Sequence, residues 1–301
     1  EKSDRRTKCK PVARVASGLV RERLVAVQRA WLPAVERWEE DDEFVHRLRV
    51  AARRAAAAMD TFAKMLPARR RKKLRRWLKQ IRRTAGAARD LDVMNALLRE
   101  ASESPGASQA ERETARRFVI AARRKAQQRL AKTHHQLRHR FVPRCIDALV
   151  RRVRWREASQ EPTFADAAQR LLRPAVAEFI AAAEAPLAGP KDFHALRIAG
   201  KRLRYTMELF APAFDDAFRD GLLCDVRNLQ DQLGRLNDHA AAGIRLRAWA
   251  QKAAQDEDRR HLLRLANAEN AACQSQVAAF LQWWTPEFRL NLSQRLSSFG
   301  V

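Results

Sequence analysis

Two short stretches concentrate side chains suited to holding an anion. HRLRVAARR places His46, Arg49 and Arg53 at i, i+3 and i+7, with Arg54 beside them; HALRIAGKR repeats the pattern with His194, Arg197 and Lys201, followed by Arg202, Arg204 and Tyr205. On an α-helix that spacing gathers the three leading cations on one face. Guanidinium forks bind phosphate oxygens in a bidentate manner, an ammonium adds a point charge, and an imidazolium adds a further donor when protonated. The implied chemistry is electrostatic capture of an anion. A merely solvated helix face would carry both signs, paired at i, i+4. Here no Asp or Glu falls between Phe44 and Met59 or between Phe193 and Met207.

The two stretches are copies. At an offset of 148 the alignment continues without a gap, Met59 falling on Met207, Asp60 on Glu208, Phe62 on Phe210, Leu74 on Leu222, Gly86 on Gly234 and Asp90 on Asp238. One register held over this length marks a tandem duplication. On a helical wheel Leu48, Ala52, Ala55, Met59, Phe62 and Leu66 form one apolar stripe, matched by Leu196, Gly200, Leu203, Met207 and Phe210. The His/Arg rows then point away from the core of their own half. The first half has Ala56 and Ala57 where the second has Arg204 and Tyr205, so the halves are expected to contribute unequally.

The surrounding charge has the same sign. From Thr61 to Arg89 there are twelve basic residues and no acid, Arg75, Arg76, Lys79, Arg82, Arg83 and Arg89 among them, and Thr114 to Ile146 is a second acid-free zone. The chain has 301 residues and a net charge of +25, of which residues 1–150 (38 basic, 17 acidic) supply +21 and residues 151–301 (22 basic, 18 acidic) supply +4. Such an excess needs a polyanion to relieve its self-repulsion: nucleic acid, an anionic membrane surface or inorganic polyphosphate. Asp90 and Asp238 are out of place near an anion. The expected role is to hold a His or Arg of their own repeat, rather than a metal, because Asp92 is matched by Ala240.

Other chemistry is weakly signalled. His134, His135 and His139 lack accompanying Cys or carboxylates and sit beside Arg138 and Arg140, which argues against a metal. Cys9, Cys145, Cys224 and Cys273 form no CxxC pair, so neither a disulfide framework nor a zinc site is indicated and a reducing compartment fits. There is no GxxxxGK[ST] or HExxH motif and no paired-carboxylate metal array, so no enzyme and no cofactor are expected. Trp283, Trp284 and Phe280 read as core residues, and with only seven Trp and one Tyr the stacking platforms of single-strand binding are poorly supported. The longest uncharged stretch, Asn270 to Pro286, is too short and polar to span a bilayer. The start, EKSDRRTKCK, has no apolar signal segment and reads as an internal cut or a processed end.

The elements that must position these residues are helices. Only 9 Gly and 11 Pro are present, and apolar residues recur at three- and four-residue spacing. This predicts an all-α fold of two pseudo-symmetric four-helix bundles. The helices expected are about 11–38, 43–66, 68–99 and 107–152, then 163–187, 191–213, 216–252 and 257–284, with a short one after Pro286. Residues 1–10 read as a basic tail, Glu103 to Ser108 as a loop, and 155–161, within WREASQEP, as the linker between halves 11–154 and 162–301.

The paired blocks HRLRVAARR and HALRIAGKRLRYTMELF, followed by ARDLDVMNALL and LGRLNDHAAA, resemble the signature blocks of the CHAD family, the conserved-histidine α-helical domain. The resemblance covers the chain from about residue 11. It implies two pseudo-symmetric four-helix bundles and a non-catalytic basic surface for inorganic polyphosphate. The positions carried over are His46, Arg49, Arg53 and Arg54, and His194, Arg197, Lys201, Arg202, Arg204 and Tyr205. Histidines beside phosphate should favour their protonated forms, so binding is expected to tighten as pH falls from about 8 to 6. A cytoplasmic protein at polyphosphate granules or the nucleoid is the corresponding expectation. The alternatives are a nucleic-acid-binding helical protein, which charge alone allows, and the accessory module of a triphosphatase.

Overall fold

The structure is a computed structural model that describes residues 7–100 and 108–300. Among these residues there are ten α-helices and no strand: α1 Val12–Glu36, α2 Glu43–Thr61, α3 Ala68–Glu100, α4 Gln109–Leu137, α5 Pro143–Val150, α6 Phe164–Glu184, α7 Pro190–Phe210, α8 Leu223–Ala250, α9 Asp256–Trp283 and α10 Pro286–Gly300. The all-α reading is therefore correct.

Local chemistry sets most boundaries. Ser108 opens α4 with a reciprocal capping box, its hydroxyl accepting from the Glu111 N–H while the Glu111 carboxylate accepts from the Ser108 N–H. The hydroxyl of Thr163 caps α6 by accepting from the Asp166 N–H. The long helix expected over 107–152 is two helices, because Pro143 disfavours a helical conformation at Val142, which is extended and starts α5 instead. Residues 103–107 of the expected loop lie outside the described residues. So do residues 1–6 of the expected tail. From Lys10 onward the chain is tied down: the Lys10 carbonyl accepts from the Phe164 N–H and the Pro162 carbonyl from the Val12 N–H, joining the start of α1 to the start of α6.

Each half contains five helices rather than four. In the first half α1 packs on α2, α2 on α3 and α3 on α4, with α5 laid against α1; in the second α6 packs on α7, α7 on α8 and α8 on α9, with α10 laid against α6. Across the halves every helix of the first four touches its own counterpart, α1 with α6, α2 with α7, α3 with α8 and α4 with α9. That is the contact pattern of a pseudo-two-fold axis. Phe62 and Phe210, equivalent in the repeat, meet edge to face at 5.8 Å between ring centroids. One hydrophobic core runs through both halves, and a smaller cluster joins Met94, Leu98, Ala115 and Val119 to Leu246, Leu262 and Leu265. The halves therefore form one packed body.

Candidate anion-binding crevice

The predicted stripe of α2 is buried throughout, as is that of α7. The cation rows do not face open solvent. Because α2 packs against α7, the side opposite each bundle core faces the other half, and Arg49, Arg53, Arg197 and Lys201 are half-buried between the two helices. Arg82 of α3 joins them, close enough to Arg53 and Arg75 to have its proton affinity lowered.

Burial lowers the proton affinity of Arg49, His46, Arg82, Arg197 and Lys201, and the charge of Arg53 adds to the lowering in each. The effect on Lys201 is largest. Burial first, and then Arg53, Arg197, Arg49 and Arg204, bring its ammonium down to about 6. Among the described residues, none of Arg53, Arg82, Arg197 and Lys201 forms an ion pair with a carboxylate. The Nε of Arg197 is buried without a hydrogen-bond partner. Concentrated, partly desolvated and uncompensated positive charge is costly in a folded protein, and an anion placed there would relieve it.

At one end of the crevice Arg49, Asp90, Arg197, Asp238 and Arg245 line a cavity of about 200 Å³. Asp90 accepts a hydrogen bond from Arg49 Nη2 at 3.2 Å, the contact expected of it. Asp238 lies near Arg197 without bonding to it; it accepts a 3.4 Å bond from Asn237, and burial raises its carboxyl above the usual range. Arg245 was not foreseen. Its signal is its position seven residues after Asp238, which puts both on one face of α8.

The family model that matches is the CHAD domain, over residues 19–247. The chain belongs to the CHAD family. Two solved structures are similar to it. One is the crystal structure of the CHAD domain from the plant Ricinus communis, with 21% identity, a TM-score of 0.66, and coverage of 96% of this chain and 93% of that one. The other is PptA from Streptomyces chartreusis, with 19% identity, a TM-score of 0.64, and coverage of 91% of this chain and 99% of that one. At these identities the likeness concerns the fold. No curated protein matches.

The remaining motif residues of this CHAD chain disperse. His46 lines a groove of α1 and α2 that also receives Arg204 and Glu208, and its Nδ1 is buried without a partner. Burial, aided by Arg89, Arg49 and Arg53 against the opposing Glu43, lowers its pKa, so without a ligand the neutral imidazole is favoured. His194 is exposed and borders a different, mainly apolar groove between α7 and α8. The two histidines therefore do not share one pocket.

Several arginines have carboxylate partners. Arg54 reaches across the halves to Glu208 at 2.8 Å, Arg202 pairs with Glu178, Arg75 grips Asp60 with two bonds of 2.8 and 2.6 Å, and Arg89 bonds Asp42 at 2.7 Å. Arg204 lies over the ring of Tyr205, 4.9 Å from its centroid, and Tyr205 is buried. Arg76, Lys79 and Arg83 are exposed along α3. Asp92 is engaged by buried Arg123 at 2.5 Å, a structural ion pair rather than half of a metal site, and burial raises its carboxyl despite that partner. Among the described residues no group of three or more His, Cys, Asp or Glu could hold a metal. Of the three clustered histidines, His134 packs against Trp31 at 5.3 Å.

Proposed function

We propose that this CHAD protein binds inorganic polyphosphate without hydrolysing it, and that the ligand lies along the crevice between α2 and α7. The observation that carries this reading is the convergence of Arg49, Arg53, Arg82, Arg197 and Lys201 from both halves, with only Arg49 held by a carboxylate. A linear phosphate chain presents one negative oxygen after another, so Arg forks and the Lys201 ammonium can engage successive phosphates and release condensed counterions. Asp90 orients Arg49 and marks the end of the crevice from which the ligand is repelled.

The aromatics favour a chain without bases. The crevice aromatic Tyr205 is buried beneath Arg204 instead of offering a stacking platform. Among the described residues no helix is long and apolar enough to cross a membrane. A protein of this kind would concentrate at polyphosphate granules, which imaging of a tagged chain checks. The direct test is a titration with long-chain polyphosphate against double-stranded DNA and RNA at equal phosphate concentration and several salt concentrations. Displacement of polyphosphate by DNA would overturn the reading in favour of nucleic acid. Incubation with tripolyphosphate and Mg²⁺ is expected to release no phosphate.

A further inference from the structure

We propose that the outer face of α3 and α4 is a second polyphosphate-binding site, a shelf that holds the part of a long chain emerging from the crevice. The proposal rests on the crevice reading and adds a separate place of contact to it. A groove of about 620 Å³ runs between the N-terminal half of α3 and the C-terminal end of α4, lined by Lys73, Arg76 and Arg140 with Gln80 and Gln136 beside them and Trp77 at its floor. The three cations are exposed, and among the described residues none of them forms an ion pair. Lys73 lies over the Trp77 ring at 5.1 Å from its centroid, which restrains its stem along the groove wall. The two glutamine side chains share a hydrogen bond of 3.2 Å across the groove, tying α3 to α4.

The sign of the shelf is uniform because both helices are acid-free there, α3 as far as Arg89 and α4 after Glu113. The second half offers nothing comparable. Positions 73, 76, 136 and 140 correspond to Gly221, Cys224, Trp284 and Phe288. The shelf therefore did not come with the duplicated framework; it is a property of the first half.

Continuity with the crevice is what selects the ligand. Around α3 at 100° per residue, Arg82 and Arg75 lie on the crevice side, Lys79 and Arg83 follow within the next quarter-turn, and Arg76, Gln80 and Lys73 complete the arc to the shelf. A flexible anion leaving Arg82 passes a succession of cations over roughly 15–20 Å of helix surface before it reaches Lys73. A short oligophosphate that fills the crevice does not reach the shelf. The shelf thus converts chain length into affinity, since a second contact on one tethered ligand is intramolecular.

The test compares tripolyphosphate with a chain of roughly a hundred phosphates, using the full chain and the triple variant Lys73→Ala, Arg76→Ala, Arg140→Ala. A charge-matched control carries Lys252→Ala at the exposed turn between α8 and α9, with Arg259→Ala and Arg260→Ala in the first turns of α9. The shelf variant is expected to lose about tenfold or more in affinity for the long chain, and less than twofold for tripolyphosphate. The control is expected to lose no more than the small amount its net charge dictates. Equal losses in both triple variants would reduce the shelf to bulk charge and overturn the proposal, as would unchanged long-chain affinity. If the unaltered chain bound neither polyphosphate, the crevice reading would have failed. If it bound both and the shelf variant left their affinity ratio intact, the shelf alone would have failed.

Discussion

Helices α3 and α8 occupy equivalent places in the two halves, each packed behind the helix that carries a cation row, but the basic positions of α3 are mostly filled by uncharged or acidic residues on α8. Where α3 has Arg75, Arg76, Lys79, Arg82, Arg83 and Arg89, α8 has Leu223, Cys224, Arg227, Gln230, Asp231 and Asn237. The rows on α2 and α7, by contrast, match position for position, as do Asp90 and Asp238. The centre of the molecule has kept its symmetry while its walls have diverged. One wall became a basic surface. The other borders a mainly apolar groove of about 670 Å³, to which His194 and the exposed Ile244 contribute. Specific grip is therefore expected from the symmetric centre, and range and salt sensitivity from the asymmetric first half.

The symmetric centre is where loss should be greatest. Removing both Arg49 and Arg197 deletes two charge-assisted contacts, each of order 1.5–3 kcal/mol, so the double alanine variant should bind polyphosphate roughly a hundredfold more weakly or worse. The slope of log affinity against log salt should also become shallower. Each single variant should lose a comparable share, measured by the same titration. A large loss from Arg49→Ala beside a negligible one from Arg197→Ala would break the claim of a symmetric centre.

Lys201 stands where the first half has Arg53, and it gives the comparison a pH axis. In the free protein Lys201 has been brought down to about 6. Above that pH it is mostly neutral, and a bound polyanion must draw a proton onto it. Affinity should therefore rise as pH falls from 8 to 6, by up to about tenfold per unit for one linked proton, and level off below 6. The sign for stability is the reverse. The unfolded chain, with its lysine near the ordinary value, binds more protons between about 6 and that value, so the ligand-free protein should become more stable as pH rises through this window. Lys201→Met should flatten both trends and raise ligand-free thermal stability at pH 6, while lowering affinity about tenfold there. An unchanged pH profile in that variant would remove Lys201 from the linkage.

Helix positions, the duplication and most of the site were legible in the sequence because they follow from periodicity and from a register that spans the chain. Leu48, Met59 and Phe62 are buried as their spacing requires. What was not legible was how one half sits on the other. The wheel of α2 shows that Arg49 and Arg53 oppose the stripe, but not that α7 lies against them. For the same reason nothing in the sequence shows that burial, with Arg89, Arg49 and Arg53, lowers the proton affinity of His46 in the free protein. Partners such as Glu208 for Arg54, 154 residues away, leave no local signal in the sequence. The break before α5 was legible at Pro143 and was overridden by the continuing helical pattern.

Arg82 provides a narrower test of the divergence, since its counterpart is Gln230. Arg82→Gln makes the two walls alike at that position. It should cost about fivefold in polyphosphate affinity, the loss of one partly screened charge, without lowering thermal stability, because Arg82 forms no ion pair among the described residues. The reverse change is not equivalent. Gln230 is buried, and a Cβ at Gly200 would already collide with its Nε2, so this wall has no room for a longer side chain. A loss as large as that of the double arginine variant would place Arg82 at the centre of the grip and not on its wall.

The smallest expected difference is between the two histidines that open the repeated motif. His46 is half-buried within reach of the charges of Arg49 and Arg53, and its proton affinity is held down in the free protein. A phosphate chain in the crevice offsets those positive neighbours, so His46 should take up a proton on binding and add to the affinity gained at low pH. His194 is exposed beside the apolar groove and shares no pocket with His46. His46→Gln should therefore reduce affinity two- to threefold at pH 6 and hardly at all at pH 8, whereas His194→Gln should do nothing at either. Equal pH-dependent losses in both variants would mean that the ligand also enters the groove that His194 shares with Arg197, and the path assigned to it along α2 and α3 would have to be redrawn.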